Sequence, residues 1–211
     1  MRVTVFFRIS FITLIGIFLS QFCSCIFPLE INGNSYRYLS DKQKARIHPF
    51  DIAKCSNCGD SLERGHFMEI NNKNLDSILN KKGKVVISFL NSFCSNVSID
   101  KFKGYNNYFS GQNKTINYYL ISKSYDLKEM RIMNDVIKTN GVVFVLQDQY
   151  YGHKLKKINK KFNKNLDKFD NDDIIKSATD YFDTYVFDNG KLLYANNSVS
   201  VGKIDSLLYS R

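Results

Sequence analysis

The residues with the most chemistry to offer are the five cysteines, Cys23, Cys25, Cys55, Cys58 and Cys94. Cys94 follows an apolar run of Val85, Val86, Ile87, Phe89 and Leu90, whose β-branched and aromatic character reads as a strand buried on both faces. Asn91 and Ser92 break the run. Ser95, Asn96 and Ser98 are cap-type residues for a helix continuing through Phe102, Tyr105 and Phe109. A thiol at a strand-to-helix turn meets the positive end of the helix dipole, which favours thiolate over thiol. Cys94 is therefore the candidate nucleophile.

Cys55 and Cys58, in "KCSNCGD", have the spacing used by thiol oxidoreductases and by half of a zinc site. "HPFDIAK" upstream is short and contains a proline, so no apolar strand leads into Cys55. Three readings stay open: a structural disulfide across a tight loop, a redox pair, or a resolving partner for Cys94. Zinc would need two more ligands from His48, His66, His153 and Cys94, and none of these repeats a paired spacing. His48, beside Pro49, reads as a surface histidine. No metal and no cofactor is expected.

Residues 1–25 have the form of an export signal. Arg2 and Arg8 give the positive start, and Ile9 to Ser20 give an apolar centre too short for a spanning helix. The expected processing makes Cys25 the lipidated first residue of a bacterial lipoprotein, preceded by Phe22, Cys23 and Ser24. Ordinary cleavage nearby, giving a soluble periplasmic or secreted protein, is the alternative. Export places Cys55, Cys58 and Cys94 in an oxidising compartment, where an odd count implies one thiol outside an internal bridge.

A net charge of +10 implies attraction to anionic surfaces. Much of it falls between Lys154 and Lys168, where Leu155, Ile158, Phe162, Leu166 and Phe169 recur at helical steps with lysines around them. That pattern reads as an amphipathic surface helix with a solvated lysine side, or else as a helix lying on anionic lipid or glycan. Export and the absence of a base-reading motif argue against a nucleic-acid partner.

The rest of the chain supplies the scaffold around Cys94. Residues 26–66 read as a tether and small extension carrying Cys55 and Cys58, with Ser40 capping one or two helical turns before Pro49. Residues 67–211 read as one α/β domain. It starts with a strand from Phe67 to Ile70 and a helix with Leu75, Ile78 and Leu79 inward. After the Cys94 helix come a strand from Thr115 to Ser122, a helix opened by Asp126, and a strand from Val142 to Gln147. The alternation implies parallel strands joined by crossovers. Thr184 to Phe187 and Leu192 to Tyr194 form a hairpin turning at Asp188-Asn189-Gly190, and Leu207 and Leu208 pack a final helix.

These features resemble the thioredoxin superfamily, in particular its secreted bacterial branch. Lys82-Gly83-Lys84 before the central strand, Phe93-Cys94 after it and "FDNGK" in the hairpin match that pattern. The resemblance implies a three-layer sandwich: a mixed sheet with parallel strands and a C-terminal antiparallel hairpin. Two landmarks depart from it. Val97 stands where the second active-site cysteine would be, and a place near Asp183 lacks the family's cis-proline.

The resemblance therefore implies an exported, membrane-anchored protein with atypical thiol–disulfide activity centred on Cys94. Without a second cysteine in the motif, Cys94 would act as a monothiol or with Cys55 or Cys58 as a distant resolver. Its partner would be a protein thiol or disulfide, or a small thiol, with the membrane reached through the N-terminal lipid. The alternative is a catalytically inactive thioredoxin-fold binding module of the cell envelope, with Cys94 merely buried.

Overall fold

The structure is a computed structural model that describes residues 35–51, 65–80, 82–90, 99–112, 116–136, 143–177, 180–197 and 199–209. Its strands are β1 (Ile47–Pro49), β2 (Phe67–Ile70), β3 (Lys84–Leu90), β4 (Ile116–Ser122), β5 (Val143–Leu146), β6 (Thr184–Asp188) and β7 (Lys191–Asn196). They form one seven-stranded sheet in the order β1-β2-β5-β4-β3-β6-β7. The run that leads towards Cys94 is β3, an interior strand. It pairs in parallel with β4 and antiparallel with β6. Strands β1, β2, β5 and β4 continue the parallel part, and β6–β7 is the antiparallel hairpin.

The helices are α1 (Asp41–Lys44), α2 (Asn72–Leu79), α3 (Ile99–Gln112), α4 (Leu127–Val136), α5 (Asp148–Tyr151), α6 (Leu155–Leu166) and α7 (Val201–Tyr209). Strand alternation divides the core in two. Val85, Ile87 and Phe89 point to one face and pack with Leu75, Ile78 and Leu79 of α2 and Ile158, Phe162 and Leu166 of α6. Val86 and Leu90 point to the other, against Phe102, Tyr105 and Phe109 of α3, Met130 and Met133 of α4, and Ile204 and Leu208 of α7. Each such side chain contributes roughly 1.5–3 kcal/mol on full burial, so β3 is held from both sides.

Local signals explain the element boundaries. Ser40 and Gln43 form a capping box on α1, and Asn71 and Asn74 form another on α2. Asp126 caps α4 by accepting from the Glu129 amide at 3.1 Å. The two-residue turn Asn189-Gly190 has positive φ at both positions, 49° and 79°, which suits the right-handed twist of a hairpin. Asn189 also exchanges two hydrogen bonds with Gly83, donating from its amide at 2.9 Å and accepting on Oδ1 at 3.0 Å. The entry to β3 is thereby fastened to the hairpin.

Three details differ from the sequence reading. Residues 47–49, within the expected extension, form β1 and extend the main sheet by pairing with β2. The chain docks as early as Ser35, which is buried. The Ser35 hydroxyl and the Tyr36 amide both donate to Asp148. In α7 the fully buried residues are Ile204 and Leu208, whereas Leu207 is only half-buried.

The lysine-rich helix α6 turns its apolar face inward, with Leu155, Ile158, Phe162 and Leu166 buried against the sheet. A helix lying on lipid would insert that face. Here the core already occupies it, and the lysine side faces outward. Among the described residues no helix is long and apolar enough to cross a membrane.

Candidate functional site

Adjacent parallel strands β3 and β4 end side by side, with Leu90 opposite Ser122. In open α/β sheets the carboxyl ends of the strands are where ligand and catalytic groups gather. Cys94 lies four residues beyond Leu90 and falls outside the described residues, as do Cys25, Cys55 and Cys58.

Lys123 immediately follows β4 and is only 5% exposed. Its alternation with Ile121 directs it to the α6 face, where its Nζ lies 4.0 Å from the Phe89 ring centroid and 4.5 Å from that of Tyr181. Nζ donates to Asn159 Oδ1 at 2.9 Å. Burial disfavours the ammonium and brings the lysine down from 10.5 to about 7, with the negative charge of Asp183 pulling the other way. Near neutral pH such an amine shares its population between base and cation, which an exposed lysine does not do.

Asp183 stands just before β6 at the same end of the sheet. Its backbone carbonyl accepts from the Phe89 amide at 2.7 Å, extending the β3–β6 ladder by one step. Its carboxylate pairs with Lys101 Nζ of α3 at 3.1 Å, both side chains being mostly buried, and accepts from Thr184 Oγ1 at 3.2 Å. A partly buried pair of this kind orients its partners more than it stabilises the fold. Asp183 thus pairs with a lysine of α3 and favours the charged form of the buried lysine that follows β4.

Asparagines complete the α6 side. Asn163 accepts from the Tyr185 hydroxyl at 3.0 Å and donates to the carbonyl of Asp180 at 3.0 Å, fixing the approach to β6. Asn159 is different. It is 2% exposed, its Oδ1 receives Lys123, and its Nδ2 has no hydrogen-bond partner among the described residues. On the opposite face Ser88 and Thr184 approach to 3.5 Å, and burial pushes the Tyr105 phenol up to about 12. Burial also raises the Tyr118 phenol, with Ser88 pulling the other way.

Chemically, this edge offers a buried cation of adjustable charge, an unspent amide donor and a charge-paired carboxylate. It can stabilise an anion or exchange a proton. The sequence reading marked the end of β3, and marked Asp183 only as the place without the family's cis-proline, not as a carboxylate of the site. It did not mark Lys123 and Asn159. Their signals were a lone lysine between serines at the end of an apolar run, and asparagines four apart on the apolar side of a lysine-rich helix.

No protein-family model matches the chain, and comparison with curated proteins and with solved structures gives no match either.

Proposed function

We propose that the protein is an exported thioredoxin-like thiol-redox protein, anchored to the membrane by lipid on Cys25, with Cys94 as its nucleophile. The observation that carries this reading is the juxtaposition at the carboxyl edge. The strand leading to Cys94 ends beside Lys123, and Asp183, at the family's cis-proline place, is hydrogen-bonded to that strand at Phe89. The sheet agrees with the resemblance in having β3 between a parallel and an antiparallel neighbour, with the hairpin at the edge. The bonds between Gly83 and Asn189 join two of the stretches on which the resemblance rests.

The chemistry is a two-step exchange. The Cys94 thiolate attacks one sulfur of a disulfide, forms a mixed disulfide and releases the other sulfur as a thiolate. A second thiolate then attacks the mixed disulfide and frees Cys94. That second thiolate comes from a small thiol or from Cys55 or Cys58. A cation on Lys123 would favour the thiolate form of Cys94.

The test is a disulfide-exchange assay with a small-thiol reductant, paired with a thiol map of the exported protein. Exchange that Cys94→Ser abolishes, with a mixed disulfide trapped on Cys94, supports the reading. An inert Cys94 beside a permanent Cys55–Cys58 bridge overturns it and leaves a binding module.

A further inference from the structure

Helix α6 presents a face of one sign to solvent. Its lysines, Lys156, Lys157, Lys160, Lys161 and Lys164, fall within about 140° of the helix circumference. They lie opposite the stripe of Leu155, Ile158, Phe162 and Leu166 that packs on the sheet. Lys161 donates to the Tyr150 carbonyl. Lys156, Lys157, Lys160 and Lys164 are exposed, and their ammonium groups have no ion-pair or hydrogen-bond partner among the described residues. No Asp or Glu stands between Lys154 and Leu166. The first carboxylate is Asp167, just past the helix, and the next lysine, Lys168, pairs with Asp76 of α2 at 2.7 Å. Lysines three and four residues apart, as in Lys156–Lys160–Lys164 and Lys157–Lys160, repel one another and oppose the helix that carries them. An ordinary solvated face interleaves both signs.

We propose that this face docks on the anionic headgroups of a phospholipid bilayer, by charge alone and without insertion. The core already holds the apolar stripe, so what α6 offers is a row of ammonium groups roughly 12 Å long from Lys156 to Lys164. Lysine suits such a partner, being a compact point charge on a flexible stem. Recognition of one particular phosphate favours the bidentate fork of arginine, and α6 has no arginine. Its asparagines are turned to the fold: Asn159 and Asn163 are buried, and Asn165 bonds Tyr150 and Tyr151. A bilayer of many anions needs no finer reading than charge.

The place where the chain enters the fold points the same way. Ser35 and Tyr36 both donate to Asp148, the first residue of α5. Only Gly152, His153 and Lys154 separate α5 from α6. This part of the argument rests on the lipid-anchor reading above. Cys25 is ten residues before Ser35, at most about 33–36 Å of chain, so a lipid there would hold a bilayer within reach of α6. The lysine face then supplies the second of the two signals that stable anchoring takes. Each lysine close to an anionic bilayer strengthens binding roughly fivefold, so three together are worth about 100-fold.

The test is partition of the exported full chain onto vesicles of phosphatidylcholine, alone or mixed in equal parts with phosphatidylglycerol. A lipid on Cys25 adds to both, so the ratio of the two affinities reads the lysine face, while mass analysis of the Cys25 peptide decides the anchor reading separately. Wild type should prefer the anionic vesicles by about 100-fold. The preference should vanish when salt is raised from about 0.1 to about 1 M, which shortens the screening length from about 10 to about 3 Å. Lys156→Gln/Lys160→Gln/Lys164→Gln, which keeps helix-forming residues at exposed positions, should lose most of it. The charge-matched control Lys128→Gln/Arg131→Gln/Lys203→Gln, on α4 and α7 across the sheet, should keep it. Equal binding to both vesicle types, or an equal loss in the control, would overturn the proposal. Heparin binding carried by the same lysines, without preference for the anionic vesicles, would assign the face to a soluble polyanion and overturn it as well.

Discussion

Lys123 and Asn159 meet across the β4–α6 interface, ammonium to amide oxygen at 2.9 Å, and leave the Asn159 Nδ2 with no partner among the described residues. One buried amide thus holds a cation with one end and keeps a donor in reserve at the other. The pair lies where β4 ends beside the strand that leads to Cys94. Its cost and its use can be separated experimentally.

The cost follows from linkage. The folded-state value of Lys123, about 7, is below its ordinary 10.5, so between those limits the unfolded chain binds more protons than the folded one. Stability from this group therefore rises with pH across that window, and the penalty of the buried charge is fully present below about pH 7. Lys123→Met keeps a long apolar stem and removes the charge. Chemical denaturation should find the variant more stable than wild type at pH 6, by about 1–4 kcal/mol. The gap should narrow as the pH rises towards 10. A gap that does not change with pH would count against a depressed Lys123.

Asn163 makes a structural prediction. It accepts from Tyr185 and donates to Asp180, so Asn163→Ala leaves a buried phenol and a backbone carbonyl unpaired. A loss of about 2–3 kcal/mol is expected by urea denaturation. Tyr185→Phe, which strands only the amide oxygen, should cost less, about 1–2 kcal/mol.

Gly190 sits in the hairpin at φ 79°, and a Cβ there would meet the Leu79 carbonyl at 3.4 Å. Gly190→Ala should cost about 1–2 kcal/mol in thermal or chemical denaturation, because an L-residue resists the left-handed region. Asn189→Ala should be similarly costly, since it also removes the Oδ1 acceptor of the Gly83 amide.

Asp183→Asn probes the charge line. The carboxylate pairs with Lys101 at 3.1 Å and favours the charged form of Lys123. The variant should lower the titration midpoint of Lys123 further, read by NMR of the selectively labelled lysine. An upward shift would contradict the electrostatic account.

How much of this was legible in the sequence follows from the range of each signal. β2, α2, the hairpin turn and the buried face of α6 are carried by short local stretches, and they form where those stretches place them. β1 is three residues long and contains a proline. Only its pairing with β2 makes it a strand. Lys123 reads as an ordinary polar residue after a strand until Phe89, Tyr181 and Asn159 close over it from three other parts of the chain. The same holds for His48 and His66, whose meeting is a matter of register between strands. The signals that failed were those requiring distant residues to come together.

The most direct test of the central claim is the rate of Cys94 alkylation against pH, measured in wild type and in Lys123→Met. The account predicts fast labelling in the folded protein with a midpoint well below about 8.5, the ordinary thiol value, and a higher midpoint in the variant. A folded-state Cys94 that labels only on unfolding, or titrates at or above about 8.5 in both proteins, would contradict it.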